Sequence, residues 1–182
     1  MANYFSIRTH LRSNVNSRSL WKPTILSINI LLFFLSKTFA QTSKENMPAG
    51  YWDSLTFNRV IPNFVAQAGC PDTEEGFNDP EYLLDPELVP ELKHVYGAVG
   101  AGRDDNPGKV SARCQFYIVQ NPEGLHRLDG DYTVFGHVIK GMSVIEQIVR
   151  VKRDSADEPI QPITLKVEII HLPKEVISRM SN

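Results

Sequence analysis

The sequence predicts a mainly β protein with a few helices, folded as an antiparallel barrel or sandwich with helical plugs. Three observations carry this. Short runs rich in β-branched and aromatic residues recur from Phe57 to Ile170. The segments between them are rich in Asp, Pro and Gly and read as turns and long surface loops. The stretch holding Val144, Ile145 and Ile148 has the apolar side of a short helix.

The chain of 182 residues suits one domain plus an extension. It is 42% apolar and 22% charged, enough for a core and unlike a disordered chain. Of the 19 basic residues, Arg8, Arg12, Arg18, Lys22 and Lys37 lie in the first forty positions, where no acid occurs. The remaining 14 face 21 acids, so the body is acidic, near −7, and nucleic acid is not an expected partner.

Residues 1–40 read as an export signal. A basic stretch precedes the apolar block Thr24–Ser36, and Thr38-Phe39-Ala40 supplies small residues before Gln41. The block is shorter than the ~20 residues that span a bilayer as a helix. Cleavage after Ala40 would give a periplasmic or secreted protein, and retention a membrane-anchored one. Residues 41–50 are a polar linker, 51–172 the folded domain and 173–182 a tail.

Within the domain, Phe57 to Gly69 is a hairpin turned at Ile61-Pro62-Asn63. Side-chain alternation puts Phe57 with Arg59 on one face and Val65 with Gln67 on one face of the return strand. Cys70 to Glu91 is an acidic surface loop without the spacing of a calcium-binding loop. Tyr96 to Arg103 is extended; its glycines do not follow the dinucleotide-binding spacing and instead mark close backbone approaches. Cys114–Val119 is a strand with Gln115 and Tyr117 on one face, and Tyr132–Ile139 is another. Ser143 and Glu146 form a capping box for the helix. Thr164–Ile170 is the last strand, with Leu165, Val167 and Ile169 inward.

This inventory has no metal cluster, nucleophile pair or general base. A guanidinium and neutral amides beside apolar side chains suit holding a peptide, while an edge hairpin with one solvated arginine fits the thirteen hairpin residues equally well. The two cysteines, Cys70 and Cys114, follow and open neighbouring strands; a disulfide and a pair of buried thiols both remain open.

From Tyr51 to Ile170 the chain resembles the cyclophilin-type peptidyl-prolyl isomerases, of bacterial type. The resemblance rests on Phe57-x-Arg59-Val-Ile-Pro62-x-Phe64-x-x-Gln67-x-Gly69, Tyr82-x-Leu84-x-x-Glu87, Gly97-Ala98-Val99, Gln115-Phe116-Tyr117-Ile118, Leu128-Asp129-Gly130 and Val134-Phe135-Gly136, in the family's order and spacing. It implies an eight-stranded barrel with a proline-binding groove on its outer face. Arg59 matches the family's catalytic arginine. Phe64, Val65, Tyr117 and Leu128 match the walls of the proline pocket, and Gln67 and Gln115 the groove amides. Gly102 and Arg103 match the stretch that pairs with the substrate backbone, and Tyr132 a position often held by histidine. Arg127 replaces the tryptophan of cyclosporin-sensitive members, which argues against tight cyclosporin binding. The hydroxyl of Tyr117, absent from the usual phenylalanine, should meet water or a partner.

The resemblance further implies isomerisation of X–Pro bonds in exported proteins, without cofactor, by a monomer that binds proline-containing peptides and unfolded chains. Two other functions are weighed: a catalytically weak module that only binds such peptides, and a barrel carrying a small apolar ligand. The family's first two strands and first helix are not evident, so the barrel is expected to be incomplete. Either the chain is a shortened product, or the segment read as a signal does structural duty.

Overall fold

The computed structural model describes residues 2–11, 28–34, 53, 55–69 and 83–172. Its strands are β1 (Ala2–Leu11), β2 (Ile28–Phe34), β3 (Thr56–Val60), β4 (Val65–Gly69), β5 (Leu83–Leu84), β6 (Ala98–Ala101), β7 (Ser111–Ala112), β8 (Gln115–Val119), β9 (Val134–Lys140) and β10 (Ile163–Leu172). One α-helix, α1 (Met142–Ile148), and a 3-10 turn at His126–Leu128 complete the described elements. Eight strands close an antiparallel barrel in the order β1-β10-β3-β4-β8-β6-β9-β2, while β5 and β7 form a separate two-stranded ribbon.

The expected gap in the barrel is filled. β1 pairs with β10 from Ala2 opposite Leu172 to Leu11 opposite Ile163, and β2 joins β1 to β9. Part of the apolar block read as a signal is therefore a barrel strand, and Thr164–Ile170 keeps a neighbour on each side. The rest of residues 1–52, apart from β1 and β2, lies outside the described residues.

Alternation sorts the strand side chains into two apolar groups. Ala66 and Ala68 of β4, Phe116 and Ile118 of β8, and Ile163 and Leu165 of β10 point into the barrel. Val144, Ile145 and Ile148 of α1 belong to the same core, as the helical spacing predicts. On the outer face Val65, Tyr117, Val119, Leu128 and Val134 form a second cluster with Phe64 and Tyr132 against it. Both faces of β4 and β8 are thus buried, which is why these strands read as nearly continuous apolar runs.

Two local expectations fail. Phe57 and Arg59 do not share a face, because the pairing of β3 with β4 shifts between Phe57 and Arg59. The bulge at Asn58 leaves Phe57 in the core, 1% exposed, and turns Arg59 outward opposite Gln67. Ser143 does not cap α1: Gly141, in the left-handed region at φ 102°, takes the N-cap position with no side-chain cap. Glu146 instead accepts a 2.6 Å hydrogen bond from the Tyr96 hydroxyl, which ties α1 to the approach to β6. Burial and this carboxylate raise the Tyr96 phenol to about 12, so it stays a donor.

Candidate active site

The tight turn between β3 and β4 sets the first wall. The Phe64 amide donates to the Ile61 carbonyl at 3.2 Å, with Pro62 at the first central position and Asn63 at φ 57° at the second. Proline presets its own φ and asparagine tolerates the left-handed conformation, so the sequence matches the turn's demand. The Asn63 amide also donates to Gln120 Oε1 at 2.8 Å, and the Phe64 carbonyl accepts from the Gln120 amide at 2.9 Å. Phe64 is thereby pinned to the end of β8.

A groove of about 250 Å³ lies on the outer face of the barrel. Arg59, Phe64, Val65, Gln67, Gly102, Arg103, Gln115, Tyr117, Leu128 and Tyr132 all line it, joined by Arg127. Every substrate-contacting position taken from the sequence is brought together. β3 supplies Arg59, β4 supplies Val65 and Gln67, β8 supplies Gln115 and Tyr117, and the 3-10 turn supplies Leu128. The amides of Gln67 and Gln115 are buried, at 8% and 1% residue exposure, so their orientation is fixed by packing.

Two glycines shape the floor. Gly100 sits opposite Tyr117 across the β6–β8 pair, and a Cβ there would lie 2.6 Å from Tyr117 Cε2. A Cβ on Gly102 would lie 2.6 Å from Gln115 Cγ. Bare backbone at these two positions lets both side chains lie flat across β6 and its continuation. The glycine-marked close approach expected from the sequence is here, with Gly100 an additional site-forming residue.

Gly102 itself is occupied: its amide donates to the Gln115 carbonyl at 3.0 Å and its carbonyl accepts from the Ala112 amide at 2.9 Å. The Gly102 amide is thereby used within the sheet, while its carbonyl keeps a second lone pair. The Arg103 side chain is held as well, with its Cζ 4.1 Å from the Tyr132 ring centroid and Nη2 3.0 Å from Asp131 Oδ2. Lys109 shares that carboxylate at 2.6 Å, and the Lys109 hydrogen bond, with both cations, keeps Asp131 below the usual carboxylate range.

Beneath the apolar wall lies an arrangement that the sequence did not disclose. His94 is fully buried, with Nδ1 3.0 Å from Asp129 Oδ1 and Nε2 2.8 Å from the Tyr117 hydroxyl. A carboxylate only accepts, so the Nδ1 proton points to Asp129 and Nε2 accepts from Tyr117. Desolvation lowers the His94 pKa from its ordinary 6.5 despite the carboxylate, which keeps the ring neutral. Burial would raise Asp129, but hydrogen bonds from the His94 amide, His126 and the His94 ring outweigh it and hold the carboxyl at about 2. The expected partner of the Tyr117 hydroxyl is thus His94. Asp129 of the Leu128-Asp129-Gly130 motif was the available signal, since one carboxylate receives both the His94 amide at 2.8 Å and the ring.

Among the described residues no group of histidine, cysteine and carboxylate side chains is placed to hold a metal ion. Cys114 is buried and disulfide-bonded; its suggested partner Cys70 lies outside the described residues. An arginine, two amides and an apolar cleft can bind a strand-like peptide carrying a proline ring.

Residues 35–169 match the family model described as cyclophilin type peptidyl-prolyl cis-trans isomerase. The chain belongs to this family. The isomerase is 34% identical over 118 residues to the peptidyl-prolyl cis-trans isomerase ppi1 of Schizosaccharomyces pombe, covering 64% of its own length and 74% of the relative's. It is 33% identical over 120 residues to the peptidyl-prolyl cis-trans isomerase CYP18-2 of Arabidopsis thaliana, covering 64% and 70% of the two chains. These relatives are eukaryotic. Its fold matches a crystal structure of a cyclophilin type isomerase from Cryptosporidium parvum with a TM-score of 0.71, over 95% of this chain and 100% of that one at 21% identity. A second structure of that protein, determined in the presence of the dipeptide Ala-Pro, matches with a TM-score of 0.69 at 22% identity. The isomerase is therefore a peptidyl-prolyl cis-trans isomerase with the cyclophilin fold.

Proposed function

We propose that the isomerase binds X–Pro segments in this groove and lowers the rotation barrier through Arg59. The uncatalysed barrier is about 18–20 kcal/mol because rotation breaks amide resonance. In the twisted amide the prolyl nitrogen becomes pyramidal and regains its lone pair. A donor aimed at that lone pair stabilises the twisted state and hardly touches the planar one, which is the condition for acceleration.

The observation that carries this is the setting of Arg59. The bulge in β3 turns it out of the barrel, next to a cleft walled by Phe64, Val65, Tyr117 and Leu128. Its Cζ is 5.8 Å from the Phe64 ring centroid, and no carboxylate among the described residues claims its N–H donors. The proline ring would lie in the apolar cleft. Gln67, Gln115 and the backbone at Gly102 and Arg103 would hold the amides and carbonyls on either side. The Ala-Pro dipeptide of the Cryptosporidium structure is of the same chemical class as this substrate. The basic stretch and apolar block in residues 1–40 would make exported proteins in the course of folding its clients if they act as an export signal, a role that competes with the place of β1 and β2 in the barrel.

A protease-coupled isomerisation assay tests the role of Arg59. Arg59→Ala should lower kcat/KM about 10²- to 10³-fold, in line with loss of one preorganised donor. Arg59→Lys should also be poor, because an ammonium lacks the planar fork. An unchanged rate in a folded Arg59→Ala protein would refute the assignment. The binding-only reading rested on missing strands, and with β1 and β2 in the barrel it loses that support.

A further inference from the structure

The groove contradicts the charge of the chain that carries it. The protein as a whole has a formal net charge of −2, yet three guanidiniums and no carboxylate line the groove. Arg103 is matched by Asp131 just outside. Among the described residues no carboxylate pairs with Arg59 or Arg127. Both lie against the Phe64 ring, with Cζ 5.8 Å and 5.1 Å from its centroid. Arg59 is partly buried and assigned to the prolyl nitrogen, whereas Arg127 is exposed at the rim beside Leu128.

We propose that Arg127 is a specificity-determining residue that selects X–Pro segments bearing an anionic side chain next to the proline. The inference rests on the isomerase reading of the groove. Contact with the aromatic face restricts where the Arg127 guanidinium can go, so less freedom is lost when it meets an anion. Its planar fork matches the two oxygens of a carboxylate or of a phosphate. The unmatched Arg59 beside the same ring adds a positive potential and makes a cationic neighbour of proline unfavourable. A glutamate, an aspartate or a phosphoserine flanking the proline supplies the missing charge; these share one chemistry, and the substrates below separate them.

The test uses the whole protein and four proline peptides that differ only in the residue flanking proline, on either side: glutamate, phosphoserine, alanine or lysine. Two readouts are taken, kcat/KM by isomerisation and affinity by fluorescence anisotropy. The glutamate or phosphoserine peptide should exceed the alanine peptide by about fivefold at low salt, and lysine should fall below alanine, as for a partly exposed ion pair. The ratio should collapse toward one in Arg127→Ala, survive in part in Arg127→Lys, and shrink at high ionic strength. A preference for phosphoserine alone would make the ligand a phosphate, and a preference for both a general anion. Equal affinity for the glutamate and lysine peptides, or a preference that persists in Arg127→Ala, would overturn the inference. If no peptide is turned over, the isomerase mechanism fails while the affinity ratios still decide the role of Arg127.

Discussion

His94 makes the outer wall of the groove sensitive to acid. The neutral ring accepts the Tyr117 hydroxyl at Nε2, and Tyr117 is itself a wall of the cleft. Because burial lowers the His94 pKa below 6.5, protonation is harder in the folded chain than in the unfolded one. The stability this represents is complete above pH 6.5 and is lost as pH falls through the folded value. Asp129, held at about 2 rather than 3.8, acts in the same direction and loses its contribution across that lower interval. His126 and Lys93 also face the Asp129 carboxylate, at 3.0 Å and 3.9 Å, and the His126 hydrogen bond supports its ionised form. Tm should therefore hold steady above neutral pH and fall on acidification, first below pH 6.5. Tyr117→Phe should cost about 1–3 kcal/mol by leaving Nε2 buried without a donor, measurable by urea unfolding at pH 7.5. A Tyr117→Phe protein as stable as the parent would remove the hydroxyl from any supporting role.

At the level of strands, the groove depends on where β6 and its continuation lack side chains. Gly102→Ala would place a Cβ against Gln115, whose aliphatic stem has nowhere to go but into the groove. Gln115 is 1% exposed, so the displaced amide would block the cleft. The expected result is a several-fold rise in KM with a smaller change in kcat, because binding geometry is lost while Arg59 is untouched. A parallel drop in kcat alone would show that Gly102 acts on the transition state instead. How much of this was legible differs by element. The order of groove residues along β4 and β8 followed from period-two alternation, since those strands are regular. Phe57 was misplaced because a bulge adds one residue and shifts every later side chain, and nothing in Phe57-Asn58-Arg59 announces it. The capping box failed for a different reason: Tyr96 is distant in sequence and offers Glu146 a buried hydroxyl, which a local pattern cannot register. The His94–Tyr117 bond is likewise a contact between separate strands and loops.

Closure of the whole barrel depends on the segment whose sequence looks least like part of it. Ile28–Phe34 is almost uniformly apolar, which suits a short signal core and a barrel strand alike; composition and periodicity cannot tell them apart at this length. Pairing decides what the sequence left open. β1 meets β10 along ten residue pairs and β2 along six, and β2 reaches β9. Without residues 1–40, β9 and β10 would each present a row of unpaired backbone groups, a template for pairing between molecules. β10 would then be held in the sheet by its pairing with β3 at Thr164 and Thr56. Expressed side by side, the full chain should be soluble and show Arg59-dependent turnover, whereas residues 41–182 should aggregate or form oligomers in size-exclusion chromatography. A soluble, monomeric and active 41–182 protein would mean that the groove stands without β1 and β2. The first forty residues would then be free to serve as the removable export signal that their basic and apolar composition suggests.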